Sequence, residues 1–216
     1  NSKAYLLLTK MDLHGNNIWE KYYEYNNDSY FHRNAIQTSN GYIYLAGFIK
    51  PGGFLSNSNF DAMVKKFDQN GNYIDGRSYG FIYDDQANDL KEDQNGNLII
   101  IGNSKPVAIC GGNLYVLKLN QNLDTVFTKH YGTVAAAGAF YNTLNKNGSL
   151  FYAYGSGSLF SSINNVDGHF IKTTNDFELD CYHFNQPTAT GNISQHTEIT
   201  SNIIYSSYTP LWEDVS

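Results

Sequence analysis

Short runs of aromatic and β-branched residues recur along the chain, each bounded by Asn, Asp, Thr or Gly. Tyr42-Ile43-Tyr44-Leu45 and Leu98-Ile99-Ile100-Ile101 are continuous apolar runs, whereas Met63-Val64-Lys65-Lys66-Phe67 and Tyr115-Val116-Leu117-Lys118-Leu119 mix apolar and charged positions. Their length and composition suit strands better than helices. Between successive runs lie eight similar four-residue segments, at 12–15, 38–41, 68–71, 93–96, 120–123, 145–148, 174–177 and 200–203. The first position is always Asp, Asn or Thr, the third is Asn in six of the eight, and the fourth is Gly in five. A side-chain oxygen at the first position accepts from the backbone two residues on, and a left-handed fourth residue closes a type I turn. The segments start 26, 30, 25, 27, 25, 29 and 26 residues apart. Each predicts the tip of an antiparallel hairpin, which makes sixteen strands.

The hairpins recur in twos. Lys10, Lys66, Lys118 and Lys172 stand in related segments spaced 56, 52 and 54 residues apart, and a second type of segment recurs between them. This divides the chain into repeats at about 4–61, 62–113, 114–168 and 169–216. A four-stranded antiparallel unit repeated about every 50 residues is the pattern of a propeller blade. A parallel β-helix needs one strand per coil, and a β-sandwich does not repeat its sequence. The expected fold is therefore all-β, a β-propeller of four-stranded antiparallel blades with four repeats present. The tail Trp212-Glu213-Asp214-Val215 resembles Asn59-Phe60-Asp61-Ala62, which precedes the second repeat. That favours a piece of a larger propeller over a closed four-bladed ring, with further blades or domains of the same polypeptide as partners.

Composition narrows the function classes. The 18 Tyr and 13 Phe against 2 Met fit strands and tight turns rather than helices. The balance is acidic, 20 Asp and Glu against 14 Lys and Arg, and no basic cluster marks a nucleic-acid footprint. The longest apolar run, Tyr5 to Leu8, is far shorter than a bilayer span, so no membrane insertion is expected. Cys110 and Cys181 occupy non-equivalent repeat positions and read as two buried thiols ahead of a disulfide.

The segment from Asp12 to Tyr23, echoed after Asp68 and Asn120, resembles a repeat of secreted propeller proteins of Bacteroidetes. Lys10, Asp12, Gly15, Asn16 and Trp19 match its core, and Thr38, Gly41, Tyr42, Ile43 and Gly47 match its second hairpin. The likeness spans the chain and fades in the fourth repeat, where both turn glycines are lost. It implies export, often through the type IX secretion route, and a place on the cell surface or in the medium. Asp124-Thr125-Val126 looks like the short O-glycosylation signal of that phylum.

Catalytic readings find little support. Gly15-Asn16-Asn17-Ile18-Trp19 resembles the Gly-x-x-x-Trp of quinone-cofactor propellers, but the equivalent positions in later repeats are Asp75, Phe127 and, approximately, Cys181 or Tyr182, so Trp19 reads as packing. The Asp-x-x-Gly turns miss the spacing of the sialidase-type box by one residue. The loops at Asp68 and Asp93 each supply one carboxylate and lack a distant bidentate Glu, so they read as turns rather than calcium loops. Glycoside hydrolysis requires converging carboxylates, for which Asp61, Asp84, Asp85 and Asp167 are the candidates. The six His show no metal-ligand spacing. No catalytic residue, metal site or cofactor is therefore expected.

Binding has a better seat. The loops after the second hairpins, 48–60, 103–113, 156–166 and 208–214, are rich in Gly, Ser, Asn and aromatics. Loops gather at a propeller mouth, where aromatic side chains stack on sugars or grip a partner; the competing reading is solvated linkers. The ligand-binding candidates are Phe48, Phe54, Phe60, Asp61, Phe160 and Trp212. The expectation is a non-catalytic extracellular binding module, adhesin or assembly scaffold for a protein or glycan. The alternative is the propeller domain of a carbohydrate-active hydrolase or lyase.

Overall fold

The computed structural model describes residues 5–25, 28–53, 55–80, 83–104, 113–131, 141–144, 150–155, 168–173, 183–185, 189–192 and 198–199. They hold sixteen strands and, among the described residues, no helix. The strands are β1 (Tyr5–Met11), β2 (Asn17–Glu24), β3 (Ser29–Gln37), β4 (Ile43–Lys50), β5 (Asp61–Phe67), β6 (Tyr73–Gly80), β7 (Asp85–Glu92) and β8 (Leu98–Ser104). They continue with β9 (Asn113–Leu119), β10 (Thr125–Tyr131), β11 (Tyr141–Leu144), β12 (Leu150–Gly155), β13 (Gly168–Lys172), β14 (His183–Asn185), β15 (Ala189–Asn192) and β16 (Glu198–Ile199). Four antiparallel sheets result: β1-β2-β16, β3-β4-β5-β6 with β15 outside β6, β7-β8-β9-β10 with β14 outside β10, and β11-β12-β13.

The sheets do not coincide with the two hairpins of one repeat. Each complete four-stranded run joins the second hairpin of one repeat to the first hairpin of the next, through β4 on β5 and β8 on β9. Burial gives the reason. β4 and β8 are buried along nearly their whole length, and β5 is close to it, so these strands need a neighbour on both edges. β3 alternates half-buried and exposed positions, with Tyr30 alone buried, and suits a sheet edge. The loop at 51–60 therefore returns the chain beside β4, whereas the connection after β2 carries it into the next sheet. The segments 145–148, 174–177 and 200–203, both cysteines and the tail at 212–215 lie outside the described residues.

The five described turns, at 12–15, 38–41, 68–71, 93–96 and 120–123, sit at hairpin tips. In each, the amide of the fourth residue donates to the carbonyl of the first, at 2.9–3.1 Å. The fourth residue is left-handed throughout, including Leu123 at φ 66°. In three turns the Asp side chain caps the backbone: Asp12, Asp68 and Asp93 each accept the amides two and four residues on at 2.8–2.9 Å. The Asn that follows the glycine donates back to the same carboxylate. In the fifth turn the pair is exchanged. Asn120 accepts both amides and its own Nδ2 donates to Asp124 Oδ2 at 3.1 Å. Leu123 is fully buried in the core, which offsets the strain of its backbone.

The sheets stack face to face. Leu6 and Tyr23 from β1 and β2 pack on Leu45 and Phe67. On the opposite face of that second sheet, Tyr44, Ala46, Ala62, Val64 and Tyr79 pack on Ala87, Leu98, Ile100, Tyr115 and Leu117 of the third. A repeated tie fastens each contact at the turn end. The Tyr23 hydroxyl donates to the carbonyl of Gly71, and that of Tyr79 donates to the carbonyl of Leu123 at 2.7 Å. Both tyrosines stand eleven residues after the start of their own turn, and both acceptors are the fourth residue of a turn in the next sheet. Gly47 and Gly102 face bulges in β3 and β7. A Cβ on Gly47 would overlap the carbonyl oxygen of Phe31, and one on Gly102 that of Gln86, which accounts for glycine at the same place in β4 and β8.

Two outcomes follow. Gly71 has φ 80°, and a Cβ there would stand 2.8 Å from the Trp19 ring, whereas a Cβ on Gly15 meets nothing within 4 Å. Gly71→Ala is expected to cost about 1–3 kcal/mol and Gly15→Ala about 1 kcal/mol in urea unfolding; equal losses would show that Trp19 does not press on the turn. Tyr79→Phe, which leaves a buried carbonyl short of its donor, is expected to cost about 1–3 kcal/mol, and an unchanged midpoint would remove the tie from the account of stacking.

Candidate functional site

The two ends of the stack differ. At the turn end, side chains knit neighbouring sheets together. Lys21 Nζ donates to Asn72 Oδ1 at 2.8 Å, Asn40 Nδ2 to Gln121 Oε1 at 2.8 Å, and Ser39 N to Glu92 Oε2 at 2.8 Å. Arg77 pairs with Asp124 at 2.6 Å. Trp19 belongs here, against Gly71. The Asp68 and Asp93 carboxylates are held by their own turns, and hydrogen bonds from Asn72 and, at Asp93, from Lys118 and Asn97 keep both below the usual carboxylate range against the opposing effect of burial. Thr125 is exposed beside Asp124, whose carboxyl is lowered by its bonds from Arg77 and Asn120.

The opposite end collects the connecting loops, of which 51–53, 55–60 and 83–84 are described. Here the two faces of the second sheet carry different chemistry. On the face turned to β1 and β2, Lys65 is fully buried, its ammonium 3.9 Å from the Tyr30 ring centroid and 5.1 Å from that of Tyr25. Asp28 accepts the Gly52 amide at 2.8 Å and the Tyr30 hydroxyl at 3.2 Å. The Tyr25 hydroxyl and His32 Nδ1 share a hydrogen bond at 3.1 Å. Burial pulls the Lys65 amine down to about 7, with the Asp28 carboxylate pulling back. Asp61 lies on this face against Gly80, and burial pushes its carboxyl up.

The other face presents aromatics and cations. Phe31 on β3 stacks on Phe48 of β4, with centroids 4.7 Å apart and planes 17° from parallel. Phe60, at the end of the loop, stands edge-on to both at 5.9 and 5.3 Å. The Arg33 guanidinium lies 5.3 Å from the Phe48 centroid, and the Lys50 ammonium 5.1 Å from that of Phe60. The backbone of Phe60 is fixed by the next sheet: its amide donates to Asp84 Oδ1 at 3.1 Å, and its carbonyl accepts the Asp85 amide at 2.7 Å.

A third polar group lies within the contact between the second and third sheets. Asp85, Ser104, Tyr115 and His130 are all buried there. The Tyr115 ring crosses Gly102, and burial, with the Asp85 charge, pushes its phenol well up. Burial pulls His130 down to about 4, which leaves the imidazole neutral near pH 7.

The structure thus brings Phe48 and Phe60 together, sets Asp61 on the opposite face, and buries Phe48 behind Phe31. Phe54, Phe160, Trp212 and Asp167 lie outside the described residues. The carboxylates of Asp61 and Asp84 answer to different groups, Gly80 and the Phe60 amide. Phe31, Arg33, Lys50 and Lys65 are additions that loop composition did not indicate. Nothing in the sequence singled out the first two, whose place follows from the register of β3 on β4 and its bulge. No protein-family model matches the chain, and no curated protein matches it.

Lys65 generates a pH dependence. Its folded value of about 7 lies below the ordinary 10.5, so between these limits the unfolded chain binds the extra proton. Stability is therefore expected to rise with pH across that window, by at most about 1.4 kcal/mol per unit. Urea midpoints from about pH 7 to 9 should climb in the native chain and stay flatter in Lys65→Met; the same slope in both would assign it to another group.

Proposed function

We propose that the chain forms propeller blades and acts as an extracellular or cell-surface binding module, an adhesin or assembly scaffold, that engages a protein or glycan at its loop end. The observation that carries this reading is the difference between the ends. The turn end uses its side chains on bonds between neighbouring sheets, whereas the loop end holds a stacked aromatic group flanked by cations. Such a combination of rigid rings and polar groups is what recognition surfaces use.

A radial arrangement is supported by β7, which packs on β3, β4 and β5 and also approaches β11, as the inner strands of successive blades do. The fourfold repeat and the resemblance to secreted Bacteroidetes propellers support the surface location and a type IX route.

Hydrogen exchange with mucin, a probe that offers both protein and glycan, tests the reading. Added protection is expected in 28–33, 50–60 and 83–85. Protection confined to the hairpin turns, or none at all, would overturn it.

A further inference from the structure

The group of Phe31, Arg33, Phe48, Lys50 and Phe60 has a chemistry narrower than that of a general binding surface. Phe31 is 36% exposed and lies on β3, an edge strand of its sheet. One face of its ring is covered by Phe48 and an edge of the group by Phe60, so the ring is held without freedom to rotate away. It therefore offers a flat apolar surface of about one ring. A pyranose chair has a matching surface, where its axial C–H groups line up against the negative face of an aromatic ring.

Cations surround this platform. Arg33 is the extra residue of the β3 bulge between His32 and Asn34, which takes it out of the strand's alternation and lets its guanidinium reach over Phe48. Lys50 closes the other side over Phe60. A planar guanidinium recognises a carboxylate through two parallel hydrogen bonds. Among the described residues the Arg33 guanidinium lies over the Phe48 ring and meets no carboxylate. The chain as a whole carries a net charge of −6, so this cationic patch runs against its surroundings and attracts an anion only at short range.

We infer that this patch is a subsite for an acidic sugar, a uronate residue within an anionic polysaccharide, whose ring stacks on Phe31 while its carboxylate pairs with Arg33. The inference rests on the reading of the loop end as the binding end and narrows it to one ligand class. Phe48 and Phe60 act by holding the platform.

Affinity electrophoresis in gels containing polygalacturonate, dextran or polyglutamate tests it. The native chain is expected to be retarded by polygalacturonate and not by the other two. Phe31→Ala and Arg33→Gln should each weaken the retardation roughly tenfold, about 1.4 kcal/mol. Arg33→Gln should leave thermal unfolding unchanged. Phe31→Ala also uncovers Phe48, so Phe31→Leu, which keeps an apolar cover on that ring and removes the aromatic face, is its control and should lose the same retardation. Arg33→Lys, which keeps the charge and loses the fork, should fall between. Retardation by polyglutamate as strong as by polygalacturonate would reduce the patch to a charge effect and overturn the inference. So would retention in the Phe31→Ala gel, or no response to polygalacturonate. Loop-end protection by mucin together with no response to polygalacturonate would reject the acidic sugar alone, whereas protection at the hairpin turns would reject the binding end as well.

Discussion

The four-residue turn with a left-handed fourth residue is the constraint on which the other contacts depend. Its geometry closes the hairpin and also turns the carbonyl of that residue toward the neighbouring sheet. Gly71 and Leu123 receive the hydroxyls of Tyr23 and Tyr79 at this carbonyl. Local turn chemistry and sheet stacking are thus one device, since a turn of another type would withdraw the acceptor. This explains why the fifth turn keeps its shape without glycine. Leu123 is left-handed, a conformation that costs a non-glycine residue about 1–2 kcal/mol, but its buried side chain and its tyrosine bond both depend on that conformation. The Asn120 and Asp124 exchange follows the same logic. The bond across the turn survives reversal of its donor and acceptor, and the displaced carboxylate becomes available to Arg77 from the previous sheet.

Much of this was legible in the sequence because it is local. Turn residues at fixed offsets and alternating strands identify hairpins without any knowledge of the fold, and the described turns fall where the pattern puts them. The grouping of hairpins into sheets was not legible. A tandem repeat has no intrinsic phase, so Tyr42–Leu45 reads equally well as the last strand of one unit or a central strand of the next. Burial on both faces decides it: β4 and β5 each require a partner on either side, and they satisfy one another.

At the loop end, Phe48 and Phe60 could be found from their place in an aromatic-rich loop, but their partner Phe31 could not. It sits within a strand, where an aromatic residue is ordinary, and only the register opposite Phe48 makes it part of a group. Arg33 was hidden by the bulge, which breaks the alternation that assigns faces. Lys65 was hidden for the opposite reason. Two adjacent lysines in a strand suggest one toward solvent and one half-buried, yet Lys65 is fully buried and Lys66 reaches the turn end to donate to the Gln121 carbonyl at 2.9 Å. A lysine tolerates this burial through its long apolar stem, the faces of Tyr25 and Tyr30, and the readiness of its amine to shed a proton.

The two faces of the second sheet at the loop end are physically coupled even though their chemistry differs. Ile49 and Phe48 are adjacent in β4 and point to opposite sides, one into the Tyr30 and Met63 cluster and the other under Phe31. Tyr30 and Phe31 repeat that relation on β3. The buried lysine and its tyrosines therefore fix the backbone from which the exposed aromatic platform projects. A binding surface on an edge strand needs such backing, because β3 has a ladder partner on one side only. The bulge that frees Arg33 also interrupts that ladder, so the rigidity of the site must come from side-chain packing behind it. The stacked Phe48 ring supplies that packing on one face, and the Lys65 cage supplies it on the other.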